Sequence, residues 1–150
     1  MPDFSPESGC QECGAPWATE DNCTERFHRF MALEMTNAAY GAVHHLTVAA
    51  YMLQHPNQLS QRGWQEERDL LKQFVIDGVS PAEIRTRRRG DYDSGNRTLS
   101  LSKGPRLRLP PGFTWTLTIL SVDDSTPEQY CQDIARWAWQ VHEDASKIAV

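Results

Sequence analysis

The sequence predicts a mainly α domain of three to four helices, with a small β-hairpin or ribbon inserted before the last helix. Three observations carry that prediction. Apolar residues recur at spacings of three and four through most of 24–88 and again through 126–150. Helix-start signals stand at Asn22, at Ser80-Pro81 and at Thr126-Pro127. Between 89 and 112 the helical period gives way to Gly, Asp, Ser, Asn, Lys and Pro around short two-residue alternations. A length of 150 residues suits one domain, read here as an N-terminal segment 1–22, a helical core 24–88, a β or loop insertion 89–122 and a C-terminal helix 126–150.

Residues 1–22 show no hydrophobic period, and such a segment orders only if something staples it. The first helix is expected from Thr24 to Met35, with Phe27, Phe30 and Met31 at helical spacing, Asn22 as N-cap and Glu25 three residues on. Thr36-Asn37 interrupts it. A second helix is expected from about Ala38 to Gln54, apolar almost all round and ended by Pro56, as the central helix of the domain. A third runs from about Arg62 to Asp77 with Trp64, Leu71, Phe74 and Val75 on one side and Gly78 as its stop. Pro81 opens a short helix through Arg87. Leu99 and Leu101, Leu107 and Leu109, and Phe113 to Ile119 then alternate with polar residues, the pattern of half-buried strands. In the last helix Thr126 is the N-cap, Pro127 the first helical residue, and Tyr130, Ile134, Trp137, Val141, Ala145 and Ile148 form one face.

Composition narrows the function classes. With 39% hydrophobic and 23% charged residues and no apolar run near the ~18 residues of a membrane span, a membrane protein is not expected. A secretory leader is not expected either, because no charged start followed by an apolar stretch opens the chain. The net charge of −5 argues against a generic nucleic-acid coat.

Of the four cysteines, Cys10, Cys13 and Cys23 cluster at the start, while Cys131 stands alone on the last helix as a small buried hydrophobe. A secreted disulfide framework spreads its cysteines to close loops across the fold, so this clustering points to a reducing, cytoplasmic compartment. The spacing Cys10-x2-Cys13 lets two thiolates reach one ion from a tight turn, and Gly14 supplies the positive φ such turns need. A redox pair would want a helix N-terminus in a βαβ setting, and neither is present. A zinc knuckle is therefore the expected cofactor site.

The run Val43-His44-His45-Leu46-Thr47-Val48-Ala49-Ala50-Tyr51-Met52-Leu53-Gln54-His55-Pro56 resembles the signature of an uncharacterised bacterial family, a domain of unknown function. That family is similar in its N-terminal CxxCG, its further Cys opening a helix, and an H-x-x-T-V-[DA]-x-Y-x-x-Q-H-P helix. Cys10, Cys13, Gly14, Cys23, His44, Thr47, Val48, Tyr51, Gln54, His55 and Pro56 match the pattern, and residues 10–78 carry most of the likeness. Ala135-Arg136-Trp137-Ala138 resembles the family's tryptophan-containing last helix. The chain departs at Ala49, where the family often carries Asp. The resemblance implies no activity.

Three thiolates and one imidazole are a common structural zinc set, leaving His28, His44 and His55 as candidates for the fourth ligand. His28 is nearest in sequence, but five residues turn a helix by about 500°, so it shares a face with Cys23 only if Cys23 lies outside the helix. The resembling family shows no His there. His44 and His55 are eleven residues apart, on one face of a helix but about 16 Å apart along it. Antiparallel first and second helices would bring His55 to the level of Cys23. The preferred set is Cys10, Cys13, Cys23 and His55, with His44 as a core histidine and His28, His45 and His142 facing solvent.

Three thiolates make a weak Lewis acid, and no H-E-x-x-H, deaminase, GxGxxG, Walker A or GxSxG pattern occurs. A small metal-dependent enzyme using His44 near the ion is the minor reading. Between 83 and 108, eight basic residues (Arg85, Arg87, Arg88, Arg89, Arg97, Lys103, Arg106 and Arg108) face Glu83, Asp91 and Asp93. Such a cluster suits an acidic protein partner, an oligomer contact or phosphate, and Arg85, Arg87, Arg88, Arg89, Arg106 and Arg108 are the expected contact residues. Aromatic residues for base stacking are few there. The leading expectation is a zinc-stabilised, non-enzymatic accessory module that docks on a larger protein assembly, with nucleic-acid binding as the alternative.

Overall fold

The computed structural model describes residues 9–17, 22–87 and 103–149. Among them are six α-helices, two 3-10 turns and no strand. Helix α1 (Cys23–Thr36) starts where expected: Asn22 is extended and its Oδ1 accepts the Glu25 N–H at 2.9 Å. The expected second helix is two helices, α2 (Ala38–Gly41) and α3 (His44–Gln54). The break has a steric and a polar cause. At Gly41 the chain runs so close to α1 that a Cβ would lie 2.7 Å from the Glu34 carbonyl oxygen. Restarting at His44 then aims His44 and Thr47 at the buried Glu34 carboxylate, through His44 Nδ1 at 2.7 Å and Thr47 Oγ1 at 2.6 Å. The Tyr130 hydroxyl donates to the same carboxylate.

Glu34, near the end of α1, thus meets the start of α3, so the two helices run antiparallel. After a 3-10 turn (Pro56–Gln58), α4 (Gln61–Val75) begins with Ser60 Oγ accepting the Gly63 N–H at 3.0 Å and stops before Gly78, whose φ is +69°. Helix α5 (Pro81–Arg87) has Pro at its first position and Ser80 Oγ accepting from Glu83 at 3.1 Å. The C-terminal helix α6 (Pro127–Ser146) is capped by Thr126, whose Oγ1 accepts the Gln129 N–H at 3.2 Å.

Helices α3, α4 and α6 pack on one another around a core of Leu53, Trp64, Leu71, Ile134, Trp137 and Val141, all fully buried. The α6 face read from the sequence is buried throughout, from Tyr130 to Ile148. Gln54, Trp64 and Trp137 are paired inside this core. Gln54 receives the Trp137 indole N–H at 3.1 Å and donates to the Leu117 carbonyl at 2.7 Å, and the Trp64 indole donates to the Leu53 carbonyl at 3.0 Å.

The expected hairpin is not seen among the described residues, and 88–102, with Leu99 and Leu101, lie outside them. From 103 to 118 the one bridge is Ser60 with Arg106. Trp115 and Ile119 are buried and Thr114 and Thr116 exposed, so the alternation is real as burial. Its hydrogen bonds go elsewhere: the Thr116 N–H and hydroxyl donate to the Asp144 carboxylate at 2.7 and 3.1 Å. Side chains of α3 and α6 do for this segment what a strand partner would have done. A 3-10 turn (Ile119–Ser121), capped by Thr118, leads to α6, and Arg26 ties α1 to it by donating to the Leu120 carbonyl at 3.1 Å.

Candidate metal centre

Residues 9–16 form a tight turn closed by backbone hydrogen bonds. The Cys10 N–H donates to Ala15 O at 2.9 Å and the Gly14 N–H to Cys10 O at 3.0 Å, with Gly9 and Pro16 bridging antiparallel. Gly14 sits at φ +77°, the left-handed conformation for which the sequence supplies glycine. The Cys13 N–H points at Cys10 Sγ, 3.4 Å away, a contact that stabilises thiolate charge. The turn is anchored to the far end of α3 by Glu12, whose Oε1 accepts the Asn57 N–H at 2.8 Å. Burial pushes the Glu12 carboxyl above its ordinary range.

Cys23 is the first residue of α1, placed there by the Asn22 cap. His55 follows the last residue of α3 with φ −131° and ψ 68°, because a residue before proline is driven out of the helical region. Antiparallel packing of α1 and α3 brings these two ends together over the turn. The ligand atoms of Cys10, Cys13, Cys23 and His55 all lie within 4.8 Å of one another, and no cysteine is in a disulfide. The edges of a tetrahedron drawn at zinc–sulfur and zinc–nitrogen bond lengths are about 3.5–3.8 Å, so the four donors need only a small inward adjustment to hold one ion.

His55 supplies the most specific test of fit. Its Nδ1 donates to the Tyr51 carbonyl at 2.8 Å, which fixes the tautomer, and leaves Nε2 buried with no hydrogen-bond partner. An imidazole nitrogen without a hydrogen-bond partner, set among three thiols, becomes a metal ligand once it gives up its proton. The ring is held by stacking on Tyr51 at 4.0 Å, and Tyr51 stacks in turn on Phe27 of α1 at 3.9 Å. Cys13, Cys23 and His55 are buried and Cys10 is half-buried, so the site is nearly closed to water.

Without an ion Cys10, Cys13 and His55 titrate far from their ordinary ranges. Hydrogen bonds from Cys13, then Cys23, hold the Cys10 thiol far below the ordinary thiol range against the opposing effect of burial. Cys13 is held far above it by the same contacts and by burial. Burial alone would lower His55, but the neighbouring Cys10 and Cys23 sulfurs and the Tyr51 carbonyl override it and lift its pKa to about 10.

The remaining sequence candidates fall outside this cluster. His28 is exposed on α1. His44 stands at the opposite end of α3 from His55, so the structure does not bring it beside the four clustered side chains. It is also not a core residue: its side chain is 38% exposed while Glu34 beneath it is fully covered. His45 and His142, expected in solvent, are half-buried, His45 against the Phe74 edge at 4.7 Å. Cys131 is half-buried rather than buried, its thiol 3.4 Å from Ala39 O. Arg85, Arg87, Arg106 and Arg108 are exposed, with Arg87 paired to Glu83 at 3.0 Å; Arg88 and Arg89 lie outside the described residues. The sequence reading passed over Glu34. Its signal was present: Glu34 falls four residues after Phe30, on the apolar face of α1, where a carboxylate must find donors.

No curated protein and no solved structure matches the chain. One family model does, over residues 8–146, a span that takes in the cysteine turn, every described helix and the closing tryptophan helix. The chain belongs to that family, DUF5946, a family of unknown function.

Proposed function

We propose that Cys10, Cys13, Cys23 and His55 hold one zinc ion and that the ion is a structural staple. The observation that carries this reading is the buried, unpartnered Nε2 of His55 facing three free thiols. Three thiolates and an imidazole fill a tetrahedral zinc shell and leave no position for a reacting water, the arrangement of structural rather than catalytic sites. The ion would join three pieces of chain, the turn at 9–16, the start of α1 and the end of α3, and add to the Glu12–Asn57 hydrogen bond and the Phe27–Tyr51 stack between them. Among the described residues the turn buries only Cys13 and Ala15, too little apolar surface to order it without a metal.

A domain stapled in this way serves as a rigid accessory module, and the reading extends to docking on a larger protein assembly through the exposed Arg85, Arg87, Arg106 and Arg108. Half-exposed Trp139 on α6 adds an aromatic residue of the kind enriched at interfaces. Elemental analysis of the purified protein tests the first part. One zinc per chain is expected, lost in both Cys13→Ala and His55→Ala; retention in the His55 variant would move the fourth ligand elsewhere. The docking part predicts a flat salt dependence toward generic duplex DNA, because a phosphate-binding role for these arginines would give a steep slope.

A further inference from the structure

We propose that the cleft between α4 and α6 binds a phosphoryl group of a small phosphorylated ligand. The cleft holds about 380 Å³ and is lined by Arg68, Asp69 and Lys72 of α4, by His142 and Ser146 of α6, and by Ile148 and Ala149. That volume falls in the range of small-molecule sites and exceeds what a bare phosphate fills. None of these residues belongs to the metal centre, and the proposal does not depend on zinc.

Charge points to the ligand. The whole chain carries a net −5 and 20 acidic residues, yet three nitrogen bases converge here. Among the described residues, neither Arg68, Lys72 nor His142 has a carboxylate partner within 4.0 Å. Asp69 contributes the one carboxylate of the lining and pairs with none of them. Arg68 and Lys72 stand four residues apart on one helix face, a like-charged pair that is unfavourable alone and relieved when an anion bridges it.

The groups are also held in place. The Arg68 guanidinium lies 5.2 Å over the buried Trp64 ring, and its Nη1 donates to the Ile148 carbonyl at 2.9 Å and the Ala145 carbonyl at 3.4 Å. Closing the end of α6 accounts for Nη1 alone; among the described residues Nε and Nη2 carry no hydrogen bond, leaving one edge of the fork for a ligand. His142 Nδ1 is buried and has no partner. The Ser146 hydroxyl already donates to the Glu143 carbonyl at 2.6 Å. The Arg68 fork edge and the Lys72 ammonium are separate donors, which suit the several oxygens of a phosphoryl group better than the two of a carboxylate, which one arginine fork would satisfy.

The test is a titration of the full-length protein with inorganic phosphate at constant ionic strength, read on the His142 ring by NMR of histidine-labelled protein, with acetate and chloride in parallel. A saturable shift of His142 with phosphate is expected, with acetate at least several-fold weaker and chloride without effect. Lys72→Gln should weaken phosphate about tenfold, the scale of one charge-assisted hydrogen bond. Lys103→Gln, which removes the same charge at another exposed site, should leave it unchanged. Equal shifts with chloride, or equal weakening in both variants, would reduce the effect to ion atmosphere and overturn the site. Acetate binding as tightly as phosphate would overturn the phosphoryl assignment.

Discussion

Replacing Glu34 by Ala perturbs a buried carboxylate that ties α1, α3 and α6 together. The carboxylate is fully covered and receives the Thr47 hydroxyl at 2.6 Å, the Tyr130 hydroxyl and His44 Nδ1 at 2.7 Å. Truncation leaves two buried hydroxyls without their acceptor, at about 1–3 kcal/mol each. Thr47 keeps a second acceptor in the Val43 carbonyl at 3.2 Å, which puts its share at the low end. The void left by the side chain adds about 1 kcal/mol, and relief of the carboxylate's own desolvation offsets part of the total. A net loss of about 3–4 kcal/mol follows, or a Tm lower by roughly 6–16 °C for a domain of this size. Urea unfolding followed by circular dichroism measures it. The decisive comparison is Tyr130→Phe in two backgrounds. In the native protein it costs about 1 kcal/mol by removing one donor; in Glu34→Ala it removes an orphaned hydroxyl and becomes neutral or stabilising. Equal destabilisation in both backgrounds would refute the network. Metal content should not change, because Glu34 lies at the opposite end of α3 from His55.

Gln54→Ala orphans the Trp137 indole N–H and the Leu117 carbonyl together and should cost about 2–5 kcal/mol, again by urea unfolding. Chelating the metal should raise amide exchange at Cys10–Ala15 while leaving the middle of α6 protected, since the staple and the core are separate cooperative regions. The proton on His55 sets a pH dependence. In the metal-free protein its pKa of about 10 means that stability from the histidinium–thiolate pair is present at pH 7 and is lost as pH rises through 10. Metal uptake at pH 7 must strip that proton, so titration heats should differ between buffers of different ionisation enthalpy, and affinity should fall with falling pH. Buffer-independent heats would contradict the ligand role of His55.

The helices that carry explicit caps were legible to within a residue or two: Asn22, Ser80-Pro81 and Thr126-Pro127 all begin helices where the side-chain chemistry says they should. The gathering of Cys10, Cys13, Cys23 and His55 was legible for a related reason. The cysteine spacing, the proline after His55 and the antiparallel pairing of two helices leave one end of α3 for the site. What the sequence hid was tertiary. Periodicity made 38–54 a single helix because nothing local reports that Gly41 touches the Glu34 carbonyl. Alternation at 113–119 read as a strand because burial has the same period two whether the backbone pairs with a strand or with Asp144 and Gln54. The basic run at 83–108 drew attention as a contiguous string, whereas Arg68, Lys72 and His142 converge only once α4 and α6 pack.

X-ray absorption at the metal edge of the purified protein tests the central claim most directly, since it reads the element and its donor atoms together. The account predicts a zinc edge with three sulfurs at about 2.3 Å, one nitrogen at about 2.0 Å and no oxygen. A shell containing oxygen in place of sulfur or imidazole, or a protein that binds no metal, would contradict it.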